Sequence, residues 1–203
     1  MILSNFNYDT LSDANFPEIS QTLLNKCLLV ANKQKFRLVE IEFYLYSPNH
    51  SDPYVHQDPD QLLLHTFYFH KFKTGTYKSG TFKGMDFTFG NTDKKVYFGI
   101  LIRAIQHIKT GQVIEGPCNV VNRILNSYQC DSIMDLTHGQ NLGLFENDVG
   151  LTLVPSKSLE ARTIYAGPRI GLSAKYPDYQ NRSYRFVADK NLVKKQRSTL
   201  KEI

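Results

Sequence analysis

The apolar positions of this chain change their period several times, and each change marks an element. In "PEISQTLLNKCLLVAN", Ile19, Leu23, Leu24, Cys27 and Leu28 recur at helical spacing, and Pro17 suits a first helical turn, so the pattern predicts a helix over residues 17–32. "FRLVEIEFYLY", residues 36–46, predicts a strand directly after it. Strict alternation groups Leu38, Glu40, Glu42 and Tyr44 on one face of that strand and Val39, Ile41 and Phe43 on the other. Two carboxylates on one side of a sheet repel, so that face is either wet or a site. Three prolines and three aspartates in "SPNHSDPYVHQDPD" predict an irregular loop over 47–60. Strand-like segments follow at 63–72, 75–79, 85–89 and 96–105, separated by the glycine-bearing turns "TGTYKSGTFKG" and "FGNTDKK". "GPCNVVNRILNSY" opens on Gly-Pro and continues with Val120, Val121, Ile124 and Leu125 at helical spacing, and "DSIMDLTHG" predicts a second, shorter helix. Residues 142–154, 162–172 and "SYRFVA" read as strands again. No fixed-period repeat or linker divides the chain. The order predicts an α+β fold in a single domain over 1–203, with helices packed around a curved, mostly antiparallel sheet.

Composition bounds the function classes. A hydrophobic fraction of 41% and an aromatic fraction of 12% over 203 residues suffice for a sizeable core and argue against disorder. No apolar run is long enough to cross a bilayer, and "MILSNFNYDTLSD" lacks a basic region followed by an apolar core, so neither a membrane span nor a signal peptide is expected. Cys27, Cys118 and Cys130 are odd in number and lack CxxC spacing, which points to a reducing, intracellular setting rather than a disulfide framework or zinc ribbon.

Charge narrows the partner. A net charge of +5 favours a polyanion, nucleic acid before membrane. Between Gln61 and Met85 there is no acidic residue, while Lys71, Lys73, Lys78 and Lys83 interleave with Phe67, Tyr68, Phe69, Phe72, Tyr77 and Phe82. From Arg182 to Lys201 seven basic residues face Asp189 alone. Phosphates attract Lys and Arg, and unstacked bases attract aromatic faces. A solvated basic surface over core aromatics fits either segment equally well.

Read in order, "EISQTLLNKCLLV…FRLVEIEFY…GILIRAI…IEGPCNVVNRIL…PRIGL…NRSYRFV" resembles the methylpurine (alkyladenine) DNA glycosylases. The resemblance spans roughly residues 19–192 and leaves 193–203 as a basic tail; shared order and spacing carry it, since "GP" or "RIG" alone is weak. It implies a monofunctional, cofactor-free DNA glycosylase that flips a damaged purine nucleotide out of duplex DNA and hydrolyses its N-glycosidic bond. Glu42 would be the general base on the attacking water, Tyr44 would stack on the flipped base, and Arg103 would hold the water or a phosphate. Lys78, Lys83, Arg182 and Arg185 would contact the nucleic-acid backbone. Arg103 lies in an apolar run, so a core salt bridge and a site role stay equally open for it.

The chain departs from the family at three places. The family's His after the catalytic Glu has no equivalent at the same spacing; His56, and next His50, would contact base or water. In "SGTFKGMDFTFGN" Gly84 and Met85 match the family's Tyr-Gly-Met, but Lys83 stands for the tyrosine, leaving Tyr77 and Phe82 as stacking candidates and Met85 as a base contact. Asp86 reads first as a turn-flanking surface aspartate and second as a carboxylate across a pocket from Glu42. His50, His56, His65 and His70 fall within 21 residues, but His65 and His70 alternate onto opposite strand faces, so no metal is expected. A nucleic-acid-binding protein of the same fold with altered chemistry is the alternative reading.

Overall fold

The computed structural model describes residue 3 and residues 7–139, 142–145 and 150–203, and forms one α+β domain. A helix, Phe16–Lys26 (α1), runs into strand Cys27–Ala31 (β1). The predicted helix is therefore shorter than its periodicity suggested. "CLLVA" pairs antiparallel with strands on both sides, and two ladders outweigh a helical spacing that the same apolar residues also satisfy. Asn32 and Lys33, both at positive φ, close the two-residue hairpin turn into Gln34–Ser47 (β2).

Further strands are His50–Ser51 (β3), Leu64–Phe69 (β4), Met85–Phe89 (β5), Tyr97–His107 (β6) and Val113–Glu115 (β7). Helices Pro117–Tyr128 (α2) and Ile133–Gly139 (α3) follow, then Thr152–Pro155 (β8), Ile164–Gly167 (β9), the turn of helix Pro177–Gln180 (α4), Arg185–Ala188 (β10) and Lys201–Glu202 (β11). The expected strand over 75–79 is absent, reduced to one bridge between Lys71 and Tyr77. Of the expected strand 142–154 only β8 forms, and residues 146–149 lie outside the described residues.

Every strand pairing among the described residues is antiparallel, and the sheet runs β11-β9-β10-β2-β6-β5-β4, with β1 and β8 extending it beside one end of β2. Among the described residues no helix is long and apolar enough to cross a membrane.

One face of the sheet carries the main core. Phe36, Leu38, Ile41, Phe43 and Leu45 of β2 pack there with Ile100 and Ile102, under Ile19 and Leu23 of α1 and Val121 and Ile124 of α2. The alternation expected for β2 breaks inside it. The β2–β6 ladder slips between Leu38 and Ile41, so Leu38 joins the main core although Glu40 and Glu42 project from the other face. That other face is buried too, in part by a smaller apolar cluster of Val39, Ala104, Val187, Val193 and Leu200 and in part by charge: Glu40, Glu42, Arg103, Arg185 and Asp86 are all at most 5% exposed. Buried charges persist only when paired, so this face is where the sequence spends polar residues on something other than solubility.

Candidate active site

Glu42 is wholly buried. Its Oε1 accepts the Ile170 N–H at 2.7 Å and lies 3.3 Å from Arg103 Nε, while its Oε2 accepts the Tyr44 hydroxyl at 3.0 Å. Burial raises its pKa above the ordinary carboxylate value; Arg103, the Ile170 N–H and Tyr44 pull it back, and Glu40 pushes it further up. Burial alone would weaken the Arg103 charge, but Glu42 and Glu40 outweigh it and the guanidinium pKa is raised. Arg103 Nε also donates to Glu40 Oε1 at 3.1 Å. The arginine thus bridges the two glutamates whose repulsion the sequence flagged, and the face is dry.

Tyr44 stands between Glu42 and an open chamber. Burial, then the Glu42 charge, lifts the Tyr44 pKa well above its ordinary value, so its hydroxyl stays protonated and donates. Its ring lines a cavity of about 120 Å³ together with Tyr54, His56, Gln61, His70, Asp86 and Leu172. Removing the hydroxyl with Tyr44→Phe leaves a buried carboxylate short of one donor. We expect a loss of about 1.5–3 kcal/mol, read as a lower urea midpoint with an unchanged slope.

The "RIG" segment holds this arrangement from the far end of the chain. Arg169 donates to both oxygens of Asp52, at 2.5 and 3.1 Å, and to the Phe43 carbonyl at 3.0 Å. Its guanidinium carbon sits 4.5 Å from the Tyr44 ring centre and 5.4 Å from that of Tyr54. The next residue supplies the N–H that Glu42 accepts. One short segment therefore pins the 47–60 loop and orients the carboxylate. Neither Asp52 nor Arg169 was singled out in the sequence, because their partners lie more than a hundred residues apart.

Asp86 is not a surface turn residue. It is 2% exposed and accepts from His70 Nε2 at 2.7 Å. Two glycines make room for the pair. A Cβ at Gly84 would fall 2.5 Å from His70 Nδ1, and one at Gly99 would fall 2.5 Å from Asp86 Oδ2. The His56 ring meets His70 edge-on at 4.6 Å, Nδ1 approaches the Tyr68 hydroxyl at 3.3 Å, and Nε2 lies 3.3 Å from Lys78 Nζ. Burial of the ring's inner side, and then His70, lowers the His56 pKa, so the imidazole is neutral near pH 7.

Outside the chamber, Tyr54 and His56 continue into a groove of about 860 Å³ lined by Tyr68, Phe72, Lys73 and Lys78. Lys71 shares it but is ion-paired with Asp60.

The remaining predicted residues go elsewhere. Met85 is wholly buried in the main core, on the face away from the chamber, and cannot contact a base there. His50 is buried against Phe16, Tyr179 and Tyr184, closed off by those rings, and burial lowers its pKa. Tyr77 packs edge-on against Phe69 and lines a separate cavity of about 290 Å³ with Lys83. Arg185 is wholly buried, donating to Glu40 Oε1 at 2.6 Å and to the Lys195 carbonyl at 2.8 Å, so no phosphate reaches it. Arg182 stacks on Tyr179 at 4.3 Å and pairs with Asp13 at 3.2 Å. Of the four expected backbone-binding cations only Lys78 faces the groove. Among the described residues no group of three or more His, Cys, Asp or Glu side chains is arranged to hold a metal ion.

No family model matches the chain. It is 54% identical over 214 aligned positions to the uncharacterized protein L759 of Acanthamoeba polyphaga mimivirus, an alignment that takes in 100% of this chain and 99% of that protein. Similarity of that extent fixes kinship, and the chain belongs to the family of the mimivirus protein L759.

Proposed function

We propose that the protein is a nucleic-acid glycosylase-like hydrolase, which draws a nucleobase into the chamber beside Tyr44 and cleaves its N-glycosidic bond with Glu42 as base. The observation that carries this reading is a buried carboxylate linked through one tyrosine hydroxyl to a cavity that shares Tyr54 and His56 with a lysine- and aromatic-lined groove. Resemblance of "VEIEFY", "LIRA" and "PRIG" to the methylpurine DNA glycosylases points the same way, and in this fold those three motifs meet around one carboxylate.

In the reaction the C–N bond breaks with its electron pair leaving on the base, and the water oxygen bonds to the anomeric carbon. The water's proton passes through the Tyr44 hydroxyl to Glu42, and a proton from that carboxyl or from solvent ends on the departing nitrogen. Positive charge developing on the sugar is stabilised by the Glu42 carboxylate. Base eversion requires stacking partners, which Tyr44 and Tyr54 supply, and backbone contacts, for which Lys73 and Lys78 are placed.

The test is to incubate the full chain with oligonucleotides carrying single modified bases and to follow abasic sites by alkaline cleavage. Accumulation of abasic product supports the reading, and its absence across purine and pyrimidine modifications rejects it. One observation favours a second reading, a binding protein without chemistry: both Glu42 oxygens are already engaged. That reading expects affinity falling linearly with log salt and no base release from any substrate.

A further inference from the structure

We propose that the chamber takes a single-ring base, a pyrimidine, rather than the purine that the glycosylase resemblance implies. The inference rests on the hydrolase reading above for its chemistry, but its geometry stands separately. The chamber holds about 120 Å³. An apolar cavity of roughly 150 Å³ accommodates benzene, one six-membered ring. A ring of that size already fills the chamber, and the second ring of a purine would be left in its mouth, against Tyr54 and His56.

Two facing walls are held in place. Tyr44 is held under Arg169 and by Glu42, and Arg169 is locked to Asp52 with both residues buried. On the opposite side the His70 ring is packed against Gly84 so closely that a single added carbon would overlap it.

Polar atoms in the inner corner fit the same occupant. Asp86 uses Oδ1 for His70, which turns Oδ2 toward Gly99. Gln61 uses Oε1 to accept the Asp58 N–H, which turns Nε2 toward the same glycine. A Cβ on Gly99 would lie 2.5 Å from the first and 2.9 Å from the second, so an acceptor and a donor converge on one corner. The edge of a base offers the complement, the amine of cytosine beside its ring N3 or the ring N–H of uracil beside a carbonyl, so this corner orients the base and the chamber's size selects the single ring. The sugar would then lie at the chamber mouth beside Tyr44 and the larger groove outside would receive the phosphates, with Lys73 and Lys78 at the backbone and Phe72, 45% exposed, under a neighbouring base.

Two measurements test this on the full chain. The first compares base release from single-stranded oligonucleotides bearing uracil or 5-hydroxycytosine with release from those bearing hypoxanthine or 3-methyladenine. At least tenfold faster release of a pyrimidine is expected. Equal or faster release of a purine overturns the single-ring assignment while leaving the hydrolase reading intact. The second titrates uridine, cytidine, adenosine and inosine and follows histidine ring signals by NMR. Pyrimidine nucleosides should shift His56 and His70 at concentrations where purine nucleosides do not, and Asp86→Asn and Gly99→Ala should each weaken that response at least tenfold. If no base is released from any oligonucleotide, the hydrolase reading fails and the titration alone decides the occupant. Purine preference, or no response to any nucleoside from a native chain that melts cooperatively, rejects the pyrimidine chamber.

Discussion

Glu42→Gln is expected to lower the rate of base release by about 10²–10⁴-fold, the usual contribution of a positioned general base, with nucleic-acid affinity unchanged. The amide keeps the shape of the carboxylate and can still accept the Ile170 N–H through one oxygen. Arg103 keeps Glu40 as its counter-charge at 3.1 Å, so the variant should fold and its melting curve should show it. The pH dependence carries the sharper signature. A base works deprotonated, so the native rate should climb as pH rises through the Glu42 pKa. Burial lifts that pKa above 4.5, so the acid limb should be displaced upward from where an exposed glutamate would put it. The same displacement governs stability with the opposite slope. Glu42 in the folded chain keeps its proton to a higher pH than in the unfolded chain, so its contribution is full below the unfolded value and is lost as pH rises through the folded one. Glutamine removes both dependences. A variant as active as the native chain at every pH would eliminate Glu42 as the base.

How far this site could be read from the sequence follows from the range of the contacts that build it. β2 was legible because residues 36–46 are rich in aromatic and β-branched side chains with Val39, Glu40, Ile41, Glu42 and Phe43 alternating at its centre, and α2 because Val120, Val121, Ile124 and Leu125 keep helical register behind a Gly-Pro start. The boundary of α1 was not, since Cys27 and Leu28 fit the helical face as well as the strand, and pairing with Arg37 on one side and with Val154 and Pro155 on the other decides. That Glu40 and Glu42 need cations was legible from their spacing, but which cations was not. Arg185 reads as part of a basic surface in "NRSYRF" and proves to be the most deeply buried cation of the sheet, since β10 lies antiparallel to β2 with Arg185 opposite Glu42. Asp86 misled for a related reason. A carboxylate two residues after a glycine, in "KGMDF", resembles a turn until β5 is placed beside Gly99, and the absence of a side chain at residue 99 opens the space its oxygen occupies. Gly84 and Gly99 were the available signals, as glycines within or beside strands often mark close approach.

Glu40→Leu should cost about 3–5 kcal/mol of stability, because it strips the shared acid from two buried arginines. Arg185 is the more exposed to that loss in energetic terms. It is wholly buried, its Nε lies 2.6 Å from Glu40 Oε1, and among the described residues its remaining donors reach the Lys195 and Gln196 carbonyls and no second acid. Arg103 falls back on Glu42 at 3.3 Å. Glu40 itself is imperfectly served, as its Oε2 has no hydrogen-bond partner among the described residues, so the cluster is held for more than its own net stability. For a chain of this length, 1 kcal/mol corresponds to roughly 2–4 °C in melting temperature, and a fall on the order of 10 °C is the expected reading. Pairing Glu40→Leu with Arg185→Met removes the stranded charge, and the double variant should recover much of the loss, giving a coupling well above the scatter of independent sites. If the two changes simply add, the Glu40–Arg185 pair is not what the buried face depends on. The cluster also reaches the chamber. Glu40 raises the Glu42 pKa, and without it Arg103 serves Glu42 alone, so the acid limb of the surviving activity should move to lower pH. A structural ion pair with no part in the chemistry would change the melting temperature and leave that limb in place.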